Sequence, residues 1–130
     1  MMPRHFKVEI RVQVTDIDGM GHVNNVVYVR WAQEVAEAHW NHVASEEMKQ
    51  TYSWVVLRHE VDYRHPAFVD DEVTGITWVG DHHGARFDRF IRIQTPNEAK
   101  LFAEIKTTWC LLDPATMKPL RIPSAILEIL

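Results

Sequence analysis

The feature that most constrains the fold is a single long helical pattern, from about residue 25 to about residue 44, that lies between segments with the character of β-strands. Asn24 and Asn25 stand at its start, and asparagine is a strong helix N-cap residue. Apolar side chains recur at helical spacing on one face: Tyr28, Ala32, Val35, Ala36 and Val43. Further apolar side chains widen this surface: Val27, Trp31 and Trp40. A helix with so broad an apolar surface needs cover on more than one side.

Segments on both sides of this helix have the alternation or the composition of strands. The first covers residues 6–14, and four more follow the helix at residues 54–63, 72–79, 85–95 and 101–112. Residues 80–84 predict a hairpin loop, and one or two helical turns are expected after Pro123. This order predicts one α+β domain over residues 1–130, with the helix packed on one face of an antiparallel sheet of about five strands.

Composition and charge narrow the classes of partner. A single helix cannot cover a large sheet, so a homodimer or homotetramer is expected. The formal net charge of -4 makes nucleic acid an unexpected partner. No apolar run of ~20 residues and no N-terminal apolar signal region are visible, so we expect no membrane span and a cytoplasmic location. The one cysteine, Cys110, lies in an apolar strand, which predicts a buried core thiol.

The stretch from Asp16 to Tyr28 carries the chemistry. Asp16, Asp18 and His22 lie in a glycine-containing turn just before the helix. The start of a helix offers free backbone N–H groups and a positive dipole end, which can polarise a carbonyl whose oxygen becomes negative in a transition state. A carboxylate held near that end stays ionised and can attack a carbonyl or activate water. The stretch therefore contains both parts of an acyl-transfer site, and we interpret Asp16 as a turn residue.

The same stretch closely resembles the D-x-D-x-x-G-H-V-N-N-x-x-Y signature of hotdog-fold acyl-CoA thioesterases of the 4-hydroxybenzoyl-CoA thioesterase type. The resemblance extends over nearly the whole chain and implies a hotdog fold, in which an antiparallel sheet wraps one long helix. It implies acyl-CoA hydrolysis with Asp18 as the catalytic carboxylate, the Asn25 backbone N–H as donor to the thioester oxygen, and His22 as a residue that orients the site. Acyl-CoA is then the substrate, and no metal or other cofactor is expected.

Three further residues are expected to bind the substrate. Tyr28 closes the signature and is interpreted as a packed aromatic beside the site rather than a proton donor. Arg86 and Arg89 belong to the densest basic segment, and some of these residues, with Arg58 or Arg64, are candidates for the phosphates of coenzyme A. Because Arg86 and Arg89 lie on opposite faces of a strand, the basic residues cannot all meet one ligand, and the alternative is a solvated sheet face.

The chain departs from the family at three positions, and two other functions stay open. Asn25 stands where many members have tyrosine or histidine, although its backbone N–H is the group that would act. Phe87 stands where many members have a serine, and Met20 stands where the plant acyl-carrier-protein thioesterases have an asparagine. The open alternatives are a non-catalytic acyl-CoA-binding hotdog module and another hotdog enzyme such as a dehydratase. A calcium loop is excluded because Met20 and Val27 occupy positions that need oxygen ligands. We interpret His82 and His83 as loop residues rather than metal ligands.

Overall fold

The structure is a computed structural model that describes residues 4–130. Within that range five strands and three helices follow one another: β1 (Phe6–Ile10), α1 (Asn25–Val43), α2 (Glu46–Thr51), β2 (Ser53–Tyr63), β3 (Val73–His83), β4 (Arg86–Gln94), β5 (Leu101–Leu112) and α3 (Ser124–Ile129). The strands form one antiparallel sheet in the order β1-β3-β4-β5-β2, so β1 and β2 are its edges. The predicted α+β architecture, one long helix against an antiparallel sheet of five strands, is confirmed.

Helix α1 begins where the sequence predicts and packs closely on the sheet. The Oδ1 atom of Asn24 accepts a hydrogen bond from the Val26 backbone N–H at 3.3 Å, which is the contact expected of an N-cap. In the middle of the helix Val35 is fully buried against β3. A Cβ atom at Gly75 would lie only 2.5 Å from Cγ2 of Val35, so glycine is what permits helix and sheet to approach this closely.

The core divides into two apolar clusters along α1. The cluster around its first half includes Val27, Tyr28, Trp31, Ala32, Val35, Ile91, Ile93, Phe102 and Ile105. The cluster around its second half includes Ala36, Phe87, Trp109, Leu111, Ile122, Ile126 and Leu130. Cys110 is buried in β5, as predicted. Helix α3 closes the second cluster, so the short terminal segment contributes to the core.

The first strand is shorter than the alternation of residues 6–14 predicts. Strand β1 ends at Ile10, and a single 3₁₀ turn forms at Val14–Asp16. The turn is stabilised by a hydrogen bond from the Gln13 backbone N–H to the Asp16 carboxylate at 2.8 Å. Val14, which the alternation places on a buried face, is instead 79% exposed. The local hydrogen bonds of Asp16 therefore override the strand pattern.

Two other local expectations need correction. Strand β3 continues through His83 instead of ending at residue 79, because a register shift of one residue between Val79 and His82 lets the pairing with β4 resume. The hairpin turn is consequently tight, and Gly84 takes a φ of +60° there. The short helix α2 was not predicted, although Ser45 caps it by accepting a hydrogen bond from the Met48 backbone N–H at 3.1 Å.

Candidate active site

Asp18 is held in the turn before α1 by backbone hydrogen bonds. Its Oδ1 atom accepts hydrogen bonds from the Met20 backbone N–H at 2.8 Å and from the His22 backbone N–H at 3.1 Å. The Asp18 N–H donates to the His22 carbonyl at 2.7 Å, and Gly21 takes a φ of +84° to let the chain fold back. Among residues 4–130 the donors to this carboxylate all reach Oδ1, so Oδ2 is left for a ligand.

Asn25 offers a free backbone donor at the start of α1. It is the first residue of the helix, so its N–H has no acceptor within the helix. The next two N–H groups are used, because Val26 donates to the Asn24 side chain and Val27 donates to the Asn24 carbonyl. In the described range no residue accepts a hydrogen bond from the Asn25 N–H. This donor lies at the positive end of the helix dipole and is available to a negative or polarised oxygen.

Asp18 and Asn25 line the same cavity, which has a volume of about 340 Å³. Its lining residues are Asp18, His22, Val23, Asn25, Tyr28, Tyr63, Arg64, His65 and Pro66. The structure thus brings together the three residues predicted to be catalytic and Tyr28, which was predicted to lie beside the substrate. We call this space the Asp18 cavity.

Two tyrosines form an ordered wall of the Asp18 cavity. Tyr28 is buried, and its hydroxyl oxygen accepts a hydrogen bond from the Ala67 backbone N–H at 3.0 Å. Its ring packs edge-on against Trp31 and Tyr63, with ring centroids 5.4 and 5.7 Å away. The Tyr63 hydroxyl donates to the Asn25 carbonyl at 3.2 Å. Burial raises the pKa of Tyr28, so the residue lines the cavity as a neutral packed aromatic.

His22 contributes to the turn mainly through its peptide groups. Its N–H and carbonyl both bond to Asp18. Its ring packs edge-on against the ring of Phe68, with the centroids 5.1 Å apart. Within residues 4–130 the ring donates no hydrogen bond to the Asp18 carboxylate. The ring of His22 therefore forms part of the cavity wall in this structure.

Asp16 fastens the turn to α1. Its side chain is 1% exposed, and its Oδ1 atom accepts a hydrogen bond from Arg30 Nη2 at 2.7 Å. The Oδ2 atom accepts the Gln13 backbone N–H, and the Asp16 carbonyl accepts the Asn24 N–H at 2.8 Å. The hydrogen bond to Asp16 raises the pKa of Arg30. Both carboxylate oxygens of Asp16 are thus used to hold the structure, which agrees with the turn role predicted for this residue.

The two arginines predicted to bind coenzyme A lie outside the Asp18 cavity of a single chain. Arg86 is exposed at the start of β4 and lines a separate cavity with Leu57 of β2. Arg89 is only 2% exposed, because its side chain lies between the sheet and α1. The predicted opposite faces are therefore found, and the solvated-face alternative is wrong for Arg89. Binding of coenzyme A phosphates by these residues stays a prediction.

Arg89 is held by one neutral side chain from α1 and one from β3. Its Nη1 atom donates hydrogen bonds to His39 Nδ1 and to Thr77 Oγ1, both at 3.0 Å. Because a guanidinium can only donate, Nδ1 of His39 must be the unprotonated nitrogen. Burial, followed by the nearby charge of Arg89, lowers the pKa of His39 to about 4. Burial also lowers the pKa of Arg89, to about 10, so the guanidinium remains charged at neutral pH.

Sequence reasoning missed Tyr63 and His65 at the Asp18 cavity. Both lie at the end of β2 or just beyond it, where the Arg64 and His65 N–H groups donate to the Phe102 carbonyl. Arg64, considered for coenzyme A phosphates, lines the cavity and also forms an ion pair with Glu104 at 3.0 Å. Alternation along β2 identifies the strand, but the register that brings its end to α1 joins distant segments, and no local pattern encodes it.

Within residues 4–130, no three His, Cys, Asp or Glu side chains cluster as a metal ion would need. In the same range no helix combines the length and the apolar character needed to cross a membrane.

Within residues 4–130, one oxygen of Asp18 and the N–H of Asn25 have no partner, and both residues line one cavity. A free carboxylate oxygen and a free helix N–H are the two groups that acyl transfer needs. The model of the Thioesterase-like superfamily matches residues 12–130. The chain belongs to this superfamily. The match includes the whole turn that carries Asp18 and every element from α1 to α3. The prediction of a thioester hydrolase is thereby confirmed at the level of the family.

Solved structures of several other proteins have the same fold. A 1,4-dihydroxy-2-naphthoyl-CoA thioesterase from Synechocystis superposes with a TM-score of 0.83 at 18% identity, over 97% of this chain and 95% of that one. A thioesterase from Thermus thermophilus, complexed with coenzyme A and Zn, gives 0.81 at 23% identity, over 94% and 88%. A Staphylococcus aureus protein in complex with CoA gives 0.84 at 16% identity, over 98% and 82%. The predicted hotdog fold is confirmed. No curated protein matches the chain.

Proposed function

We propose that this protein is an acyl-CoA thioesterase in which Asp18 is the catalytic carboxylate and the Asn25 backbone N–H is the oxyanion donor. One observation carries the proposal: Oδ2 of Asp18 and the N–H of Asn25 have no partner within residues 4–130, and both residues line one cavity. Membership of the Thioesterase-like superfamily supports the class of reaction.

Two chemical routes fit a free Oδ2 atom on Asp18. As a general base, the carboxylate takes a proton from water, and the water oxygen attacks the thioester carbonyl. As a nucleophile, the carboxylate attacks the carbonyl itself, and water then hydrolyses the mixed anhydride. In both routes the carbon–sulfur bond breaks, coenzyme A leaves as its thiol and the acid is released. The Asn25 N–H stabilises the negative carbonyl oxygen in either route.

Coenzyme A is the carrier that best fits the surroundings of the Asp18 cavity. Arg64 and His65 line it, and basic side chains suit a ligand that bears phosphates. The similar proteins from Thermus thermophilus and Staphylococcus aureus both bind coenzyme A. The rings of Tyr28 and Tyr63 offer an aromatic wall to the acyl group. The proposal includes Arg86 as a phosphate ligand, a cytoplasmic location and no metal or organic cofactor.

We further propose that the protein is a homodimer or a homotetramer. Strand β2 is an edge of the sheet and carries two exposed large side chains, Leu57 and Tyr63, which are 47% and 46% exposed. An edge strand with exposed apolar side chains is a surface that a second copy can pair with. Light scattering at micromolar concentration should give at least twice the chain mass of 15.2 kDa. A monomer that retains full thioesterase activity would contradict the proposed assembly.

A panel of acyl-CoA substrates tests the proposed activity. Aromatic, short-chain and long-chain acyl-CoAs are incubated with the protein, and released thiol is measured. We expect thiol release above the uncatalysed rate with at least one acyl class. Calorimetric binding of the same acyl-CoAs without thiol release would favour the non-catalytic binding module instead.

A further inference from the structure

A second cavity lies beside the second half of α1, and its chemistry differs from that of the Asp18 cavity. It has a volume of about 270 Å³. Aromatic side chains from α1, β2, β4 and β5 line it, together with Arg89: Trp40, Trp54, Phe87 and Trp109. Glu37 and Asn41 of α1, both exposed, also line it. We call this space the Arg89 cavity.

Arg89 brings a buried positive charge to this cavity, and no Asp or Glu side chain of residues 4–130 forms an ion pair with it. The hydrogen bonds that described residues make to its guanidinium are both at Nη1, and Nε is buried without a partner. Within residues 4–130, no Asp or Glu carboxylate oxygen lies within 4.0 Å of it, although Glu37 and Leu130 line the same cavity. Its two bonding partners, His39 and Thr77, are neutral acceptors. The edge of the guanidinium formed by Nε and Nη2 is therefore unused.

A second buried donor lines the same space. Trp109 is 9% exposed, and its indole Nε1 has no hydrogen-bond partner among the described residues. A buried polar group without a partner is unfavourable, and a buried charge without a counter-charge is more so. Two such donors at one cavity, beside the rings of Trp40, Trp54 and Phe87, match a ligand that has an acceptor group at one end and an apolar body.

We propose that the Arg89 cavity binds a small carboxylic acid with an apolar body, distinct from the thioester bound at Asp18. The carboxylate pairs with the Nε and Nη2 edge of Arg89, since a guanidinium edge matches two carboxylate oxygens. The apolar body lies among Trp40, Trp54 and Phe87. At ~30 Å³ for each water, the cavity holds roughly nine waters, which indicates a ligand of about ten non-hydrogen atoms.

The two cavities are separate in one chain. Glu37 follows Asn25 by twelve positions on α1, which corresponds to about 18 Å along the helix axis. A ligand of about ten non-hydrogen atoms cannot reach both ends of this distance. The proposed acid site therefore does not depend on the thioesterase proposal, and each can fail without the other.

Binding of a matched pair of ligands to the unmodified protein tests the proposal. We choose 3-phenylpropionate and 3-phenylpropionamide, which differ in the charge of the terminal group, and follow binding by calorimetry and by tryptophan fluorescence. We expect the acid to bind with a Kd below ~1 mM and about tenfold or more tighter than the amide, because hydrogen bonds to charged groups are the stronger ones. Absence of acid binding at ~10 mM, or equal affinity for acid and amide, would overturn the proposal.

Two variants that each remove one negative charge locate the bound acid. Glu37→Gln acts at the Arg89 cavity and should tighten binding of 3-phenylpropionate by about two- to fivefold. Asp18→Asn acts at the Asp18 cavity and should leave the same Kd unchanged. The opposite result, with tighter binding in Asp18→Asn and no change in Glu37→Gln, would assign the acid to the Asp18 cavity and refute the proposal. Neither test requires substitution of the buried Arg89.

Discussion

The two cavities along α1 hold opposite charges in opposite ways. At the first, Asp18 is partly exposed, and peptide N–H groups of its own turn hold its carboxylate. At the second, Arg89 is 2% exposed and is held by the side chains of His39 and Thr77 from two other elements. The first charge is fixed locally, whereas the second depends on tertiary packing.

This difference separates activity from stability. A charge that stays in contact with water and is held by its own turn adds little to the stability of the fold, and it remains free to react. A charge enclosed by an apolar core destabilises the fold if any of its neutral partners is lost. Changes at Asp18 should therefore affect turnover, and changes around Arg89 should affect unfolding.

The largest expected effect is the loss of turnover in Asp18→Asn. The amide oxygen can still accept the N–H groups of Met20 and His22, so the turn should keep its shape. A neutral amide is a poor base and a poor nucleophile, and loss of a positioned base typically lowers the rate ~10²–10⁴-fold. We expect kcat to fall at least ~100-fold, with little change in acyl-CoA affinity or Tm, as measured by thiol release, calorimetry and thermal melting.

Asp16→Asn is the matched control in the same turn. Both oxygens of Asp16 accept hydrogen bonds in the folded protein, one of them from Arg30. This variant should lower the free energy of unfolding by ~1–3 kcal/mol and reduce kcat far less than Asp18→Asn does. If Asp18→Asn instead retains near wild-type turnover, the catalytic site is wrong, and the candidates become His22 and two carboxylates of α1, Glu34 and Glu37.

The second expected effect is a pH dependence of the free energy of unfolding, which arises from His39 beside Arg89. Burial lowers the pKa of His39 to about 4 in the folded protein, against an ordinary value of 6.5. Between pH 6.5 and 4 the unfolded chain therefore binds a proton that the folded chain does not. The free energy of unfolding should decrease as pH falls through this window, by roughly 3 kcal/mol in total, and should not depend on His39 above it. Urea unfolding at about pH 7, 5.5 and 4 measures this decrease.

His39→Gln is the control for the pH effect. A glutamine oxygen can accept the hydrogen bond of Arg89, and it has no proton to gain in this range. The variant should show a shallower decrease of stability between pH 6.5 and 4 than the wild type. Parallel curves for the two proteins would mean that His39 is protonated as easily in the folded state as in the unfolded state.

The smallest expected effect concerns Arg86, which lies outside both cavities. If Arg86 binds a coenzyme A phosphate, Arg86→Ala should raise KM severalfold and leave kcat nearly unchanged, because an exposed charge contributes uniformly to ground state and transition state. Steady-state kinetics with the best acyl-CoA measures both constants. Unchanged kinetics would mean that Arg86 is a solvated charge on the sheet face and does not bind the substrate.

The fold was predictable because its main signals are local. The apolar spacing of α1 and its Asn24 cap predicted a helix that begins at Asn25, as found. Strand β5 was also predicted with the bounds that the structure gives it. The errors lie where hydrogen bonds of single side chains decide the conformation, as at Asp16 beyond β1 and at Ser45 before α2. Such contacts leave the hydrophobic alternation unchanged, so a pattern does not reveal them.

The site was predictable in part for a similar reason. The turn residues and Asn25 are close in sequence and share one recognisable stretch, whereas Tyr63 reaches Asn25 only through the order of the strands. A signal for the Arg89 cavity was present in the sequence. Arg89 alternates with the apolar residues Phe87, Ile91 and Ile93, and that spacing places it on the buried face of β4. The two interpretations given to the arginines of that strand, phosphate ligand and solvated charge, did not include a buried arginine.

The way in which Asp18 is held also bears on how such a site can diverge. Its carboxylate accepts hydrogen bonds from the backbone N–H groups of residues 20 and 22. The positive φ of Gly21 directs these two N–H groups toward the carboxylate. The side chains at positions 20, 22 and 25 should therefore be exchangeable while the Asp18 carboxylate keeps its place. If Asp18 is the catalytic carboxylate, as proposed, a lineage that keeps Asp18 and Gly21 should retain its chemistry and change its substrates through these neighbouring positions.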